Sequence, residues 1–136
     1  MRYKFLPHTA DIKFRAYGST IEEAFLNSLL ALVSSVSREK IKGSKALAIK
    51  VSGKDYENLL YNFLEEILFL IDSKNFFPSG ISNLKIDKKK LKLSGKLSGD
   101  YGDKYKIYSH IKSATYSEML VENKKGRWIV QAVLDV

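Results

Sequence analysis

The chain of 136 residues contains no cysteine. Disulfide frameworks, thiolate zinc sites and cysteine nucleophiles are excluded together. Histidine is nearly absent too, with only His8 and His110, and no His-x-Glu-x-x-His pattern occurs. There is no Gly-x-x-x-x-Gly-Lys phosphate loop, no Gly-x-Ser-x-Gly elbow and no EF-hand loop. This inventory argues against a self-contained hydrolase. The longest apolar-rich stretch, 56–71, is interrupted by Asn62, Glu65 and Glu66, which makes it too short and too charged to span a bilayer. The first residues, Met-Arg-Tyr-Lys-Phe-Leu-Pro, lack the apolar core of a signal peptide. A cytoplasmic protein is the expectation.

Hydrophobic residues make up 45% of the chain and charged residues 28%, a composition typical of ordinary globular proteins. The length suits one domain, 1–136, able to bury about two thirds of its unfolded surface. The net charge is +8, and its distribution is uneven. Between Lys85 and Lys112 stand nine lysines and three aspartates, Asp87, Asp100 and Asp103. Such a field attracts polyanions or acidic surfaces. The plainer reading is a solvated, lysine-rich strand edge that resists aggregation.

Ile12, Phe14 and Ala16 alternate with Lys13, Arg15 and Tyr17, which predicts a half-buried strand ended by Gly18. Ser19 with Glu22, or Thr20 with Glu23, has the spacing of a capping box. The apolar recurrence that follows predicts an amphipathic helix over 20–38. Residues 46–52 read as a strand and Gly53 breaks it. Asp55 then caps a second helix that ends near Ser73. Leu64, Leu68, Phe69 and Ile71 broaden its apolar stripe, so most of it should be buried. Beyond Pro78-Ser79-Gly80 a hairpin is expected around the turn 87–90, with lysines on its wet face. Residues 98–109 read as a polar loop. Residues 111–122 and 127–136 read as a final antiparallel pair around Asn123-Lys124-Lys125-Gly126. The order predicts an α+β domain with two helices packed on one side of a mixed, mainly antiparallel sheet.

Two aspartates stand out. Asp11 closes His8-Thr9-Ala10-Asp11, either a hydrogen-bonded turn or a ligand-bearing one. Asp135 ends a run with the composition of a core strand and precedes Val136. Two neighbouring carboxylates there repel each other unless a cation or donors offset them. If the first and last segments lie side by side, Asp11, Asp135 and the Val136 carboxylate form an all-oxygen site suited to Ca2+ or Mg2+ and not to zinc. The plainer alternative is a solvated terminus. Glu65 and Glu66 read as the polar edge of a helix. Lys112 either reaches an anionic partner or lies on a wet strand face.

Four segments together resemble the archease family. His8-Thr9-Ala10-Asp11-Ile12, with Gly18 and Glu22-Glu23-Ala24-Phe25, resembles its amino-terminal segment. The acidic helix from Leu59 to Leu70, the segment Ile111-Lys112-Ser113-Ala114-Thr115-Tyr116 and the run Val133-Leu134-Asp135-Val136 resemble its later ones. The family's third segment continues with a histidine where this chain has Ser117. The resemblance implies an accessory protein, not an enzyme, that promotes guanylylation and multiple turnover of an RtcB-type RNA ligase in tRNA splicing. It also implies a calcium-type site at Asp11, Asp135 and Val136, and a partner surface that includes His8, Lys112 and Thr115. Two other readings are a basic RNA-binding module, built on 85–112 with stacking tyrosines 101, 105, 108 and 116, and a small structural subunit without metal.

Overall fold

A computed structural model describes all 136 residues. The strands are β1 (Tyr3–Leu6), β2 (Ile12–Gly18), β3 (Lys45–Ser52), β4 (Phe76–Asp87), β5 (Lys92–Tyr101), β6 (Ser113–Lys124) and β7 (Arg127–Asp135). The helices are α1 (Ile21–Val36) and α2 (Tyr56–Lys74), and one 3-10 turn spans Gly102–Lys104. The α+β class and the two helices are as the sequence predicts. The sheet is divided, with four strands in the order β1-β2-β7-β6 and three in the order β3-β5-β4. Every pairing is antiparallel, so no mixed sheet forms.

Each sheet has one apolar face, and alternation requires that face to be covered. Phe14, Ala16, Val130, Ala132 and Leu134 supply it in the first sheet, and Ile49, Ile86, Leu93 and Leu97 in the second; all are buried. Both helices contact both sheets, α1 through β2 and β4 and α2 through β6, β3 and β4. A helix held between two sheets is buried round most of its circumference. That explains why polar Asn27, Ser28 and Ser35 of α1 are buried with the apolar residues. Their side chains satisfy themselves on main-chain carbonyls: Asn27 Nδ2 donates to the Tyr17 oxygen at 2.7 Å, and Ser28 Oγ to that of Phe25 at 2.7 Å. One core of 32 buried residues serves both sheets.

Local chemistry sets the boundaries. Of the two capping boxes the spacing permits, Thr20 with Glu23 forms. Glu23 N donates to Thr20 Oγ1 at 3.1 Å, and Ser19 N to Glu23 Oε1 at 2.9 Å. Glu22 instead accepts from Ile86 N of β4 at 3.2 Å. Gly18 admits no side chain, because a Cβ there would overlap the Ala24 amide. Asp55 Oδ1 caps α2 through Asn58 N at 2.7 Å, and Asn75 ends that helix in the left-handed region at φ 51°. Four details depart from the pattern-based expectation. β1 is too short to carry a periodic signal. Pro78-Ser79-Gly80 is a bulge within β4, an edge strand that can spare the missing N–H. β5 continues to Tyr101, so only its far side is loop. Phe69 is 49% exposed although it belongs to the apolar stripe of α2.

Candidate metal and partner site

The register of the four-stranded sheet brings the two ends of the chain together. Ile12 of β2 pairs with Leu134 of β7, so Asp11 and Asp135 each adjoin one member of that pair, at the same end of adjacent strands. On the other side of β7, Ser113 pairs with Asp135 and Thr115 with Val133. Lys112 N donates to the Asp135 main-chain oxygen at 2.8 Å, and Thr115 Oγ1 to that of Val133 at 3.2 Å. His8 Nδ1 lies 4.0 Å from Asp11 Oδ2. His8, Asp11, Lys112, Thr115, Asp135 and Val136 thus gather at one end of one sheet.

The turn that presents Asp11 is strained and internally bonded. Ala10 has φ 68°, a conformation costly for a residue with a Cβ. Asp11 N donates to the Thr9 oxygen at 2.8 Å. Neither Asp11 nor Asp135 receives a hydrogen bond on its carboxylate from the chain, and Asp135 forms no ion pair. Carboxylates without protein donors are oxygen ligands of the kind a hard cation takes. No group of three His, Asp, Glu or Cys side chains is placed to hold a metal ion. The oxygen atoms at this end of the sheet are the two side-chain carboxylates of Asp11 and Asp135 and the neighbouring main-chain oxygens.

The outward face of this sheet continues as a polar network that patterning does not reveal. Glu118 is its centre. Lys13 Nζ lies 3.0 Å from Oε1 and His8 Nε2 3.2 Å from Oε2. The lysine bond, reinforced by its charge and by His8, holds the Glu118 carboxyl below its ordinary range. Arg15 donates twice to Gln131 Oε1, at 3.0 and 2.6 Å, and Gln131 Nε2 donates to the Glu118 main-chain oxygen at 2.7 Å. Glu118 has φ 54° and sits where β6 slips register between Thr115 and Leu120. That bulge turns its side chain toward His8. The only sequence signal is the broken alternation across Tyr116-Ser117-Glu118. Ser117 is exposed, and its N–H donates to Thr115 Oγ1 at 3.3 Å.

Beside Asp11 opens a cleft of about 300 Å3, lined by Phe5, Lys13, Ser34, Arg38 and Tyr108 among others. The Arg38 guanidinium stacks over the Tyr108 ring, 3.5 Å from its centroid. Glu65 is structural. It accepts from Tyr61 Oη at 3.2 Å and from Ala114 N at 3.3 Å, fastening α2 to β6. Burial and the Glu65 charge push the Tyr61 hydroxyl up. A second structural carboxylate, the fully buried Asp100, lies at the far end of β5. It accepts from Tyr105 Oη at 2.7 Å and from Tyr101 N at 2.9 Å. The tyrosine bond, with Ser44, Tyr101 and Lys104 assisting against burial, lowers its pKa to about 2. No helix is long and apolar enough to cross a membrane.

Comparison with known proteins agrees with this architecture. Residues 3–136 match the model of the Archease protein family (MTH1598/TM1083). The chain is 40% identical over 141 residues to "Protein archease" of Pyrococcus furiosus, covering 99% of both chains. It is 32% identical over 140 residues to the protein of that name from Methanosarcina mazei, covering 99% of this chain and 96% of the relative. The solution structure of Methanobacterium thermoautotrophicum protein 1598 superposes with a TM-score of 0.83 at 26% identity, over 99% of each chain. A Thermotoga maritima crystal structure, described as an archease and possible chaperone, shares the fold at a TM-score of 0.65, 18% identity, 98% of this chain and 96% of its own. The match along the whole length, with strands and helices in the same architecture, places this chain in the archease family.

Proposed function

We propose that this archease is an accessory protein of an RtcB-type RNA ligase, promoting guanylylation of the ligase and its repeated turnover during tRNA splicing. The observation that carries the reading is the β2–β7 register, which sets Asp11 and Asp135 at the same end of adjacent strands. Asp11, Asp135 and the carboxylate of Val136 would hold a calcium-type ion, with magnesium the alternative. Bound there, the ion would supply positive charge at the surface offered to the ligase. The protein's own residues position that surface. The Ala10 turn aims Asp11, Lys112 N fixes the main chain of Asp135, and Thr115 anchors the adjacent strand. His8, held by Glu118, stands at the rim with Lys112 as a contact for the partner. The role requires no catalytic group on this chain, and it places the protein in the cytoplasm with its ligase.

Two measurements test the reading separately. Calcium titrated into the isolated protein raises its melting temperature, and Asp11→Asn and Asp135→Asn each abolish the rise. At one hundred times the dissociation constant the stabilisation is about 2.7 kcal/mol. In a ligase guanylylation assay the same variants fold normally yet fail to stimulate. Full stimulation by both would remove the site from the mechanism.

A further inference from the structure

The lysine-rich stretch of the sequence does not form one surface; the fold sorts it. Lys85, Lys92 and Lys96 lie on the outer face of the three-stranded sheet and are joined by Lys50 from β3, while Lys104, Lys106 and Lys112 lie beyond it. Ser94 of the central strand β5 pairs with Lys50 on one side and with Lys85 on the other. Lys92 and Lys96 stand two residues from Ser94 along β5, on the same face. The four lysines therefore mark a diamond centred on Ser94. Strand geometry makes its diagonals about 10 Å across the sheet and about 13 Å along it. Small side chains fill the remaining positions: Ala48 and Ser82 flank Lys96, and Ser52 lies beside Lys92. A shallow depression of about 470 Å3 opens at the Lys92 end of the diamond, lined by Lys50, Lys85, Lys92 and Ser94 together with Ser52 and Asp87; Lys96 lies outside it.

None of the four ammonium groups is in an ion pair. The three strands carry two acidic residues, Asp87 and Asp100. Asp100 is buried. Asp87, at the sheet's end beside Lys92, accepts from Lys89 N and Lys90 N at 3.0 Å each. Neither helix covers the face, since both pack on its inner side. Protein partners are gripped through a buried apolar or aromatic centre, and this face has none. The tyrosines named with the basic stretch are not on this face: Tyr101, the last residue of β5, alternates to the face opposite Lys92 and Lys96, with Lys45 Nζ 5.1 Å from its ring centroid, and Tyr108 lies under Arg38. Tyr105 is bonded to Asp100, and Tyr116 stacks on Tyr61 at 4.2 Å in contact with the other sheet.

We infer that the outer face of β3-β5-β4 is a phosphate-binding platform for a nucleic-acid strand, with Lys50, Lys85, Lys92 and Lys96 gripping the backbone and no base being read. Unpaired lysines on a flat, small-residue surface supply the sequence-independent term of such binding and nothing more. The choice of RNA over DNA rests on the ligase reading above; the platform does not. It lies on a different sheet from Asp11 and Asp135, so a strand bound here leaves that end free.

The test is fluorescence anisotropy of a labelled 12-nucleotide single-stranded RNA with the full chain, without ligase and in chelator, from 50 to 200 mM salt. Four contacts predict a slope of log affinity against log salt of about −3. Lys85→Gln/Lys92→Gln weakens binding about 20-fold at 0.1 M salt and flattens the slope by about 1.4, at roughly 0.7 per lost contact. Lys104→Gln/Lys106→Gln, with the same loss of charge off the platform, leaves affinity within twofold. Circular dichroism confirms that both variants are folded. Equal weakening by the two pairs would overturn the proposal, as would absence of RNA binding at 50 mM salt or equally tight binding of polyglutamate. All three results are independent of guanylylation, so they leave the ligase reading standing or falling on its own assay.

Discussion

Removing one ring from the seam between the helices should show how strongly the shared core ties the two sheets. Phe63 of α2 is fully buried, and its ring centroid lies 5.6 Å from that of Phe25 in α1, tilted by 41°. Phe63→Ala loses the transfer free energy of the ring and leaves a cavity, a cost of about 3–5 kcal/mol. An unfolding entropy of about 2.1 cal/mol/K per residue gives about 290 cal/mol/K for this chain, so the melting temperature should fall by about 10–17 °C. Phe69 is the internal control. It belongs to the same helix and the same sequence stripe but is 49% exposed. Phe69→Ala should change stability by no more than about 0.5 kcal/mol. Denaturant unfolding, followed by circular dichroism and by Trp128 fluorescence, measures both variants. Trp128 is in the four-stranded sheet, so coincident transitions by the two probes report one cooperative unit. A loss below 1 kcal/mol for Phe63→Ala, or equal losses for the two variants, would refute this account of the core.

Other substitutions test individual contacts. Thr20→Ala removes the acceptor for Glu23 N and should cost about 1 kcal/mol in denaturant unfolding; an unchanged midpoint would discard the capping box. The Asp100 carboxyl has a lower pKa folded than free, so its stabilising contribution is present above pH ~4 and disappears as pH falls toward 2. Asp100→Asn should therefore be less stable at neutral pH and lose less stability than the wild type between pH 4 and 2; parallel acid-unfolding curves would contradict that. Glu118→Gln weakens the tie to Lys13 and His8, and should broaden or shift the His8 ring resonances while the global melting point moves by less than about 2 °C. Unaltered His8 resonances would show that the contact is absent in solution.

Regular periodicity made most of the fold legible. Ile12–Ala16 and the two apolar stripes gave a strand and two helices because each element has one dry face. The division into two sheets was not legible, since alternation says which face is dry and not which strand is the neighbour. For the same reason the lysines of 85–112 read as one patch until pairing separated Lys96 from Lys104. Asp11 and Asp135 were conspicuous by composition, but their proximity is a matter of register between segments more than a hundred residues apart. Glu118 was hidden because a bulge breaks the rule by which a strand is read. Asp100 was hidden because its burial depends on a tyrosine hydroxyl supplied by a loop without periodicity.

β7 is the last of the seven strands in chain order, yet it occupies an interior position, between β2 and β6. Until it arrives, β2 has only the short β1 beside it, β6 has no partner strand, and α1 lacks its contact with β7. Closing the sheet means joining segments from opposite ends of the chain, a long-range step that is intrinsically slow and leaves apolar surface open while it waits. Asp135 ends that strand. The juxtaposition of Asp11 and Asp135 at one end of the sheet thus depends on the late closure of β2 on β7, and a partly unzipped molecule presents the lysine sheet without the carboxylate end.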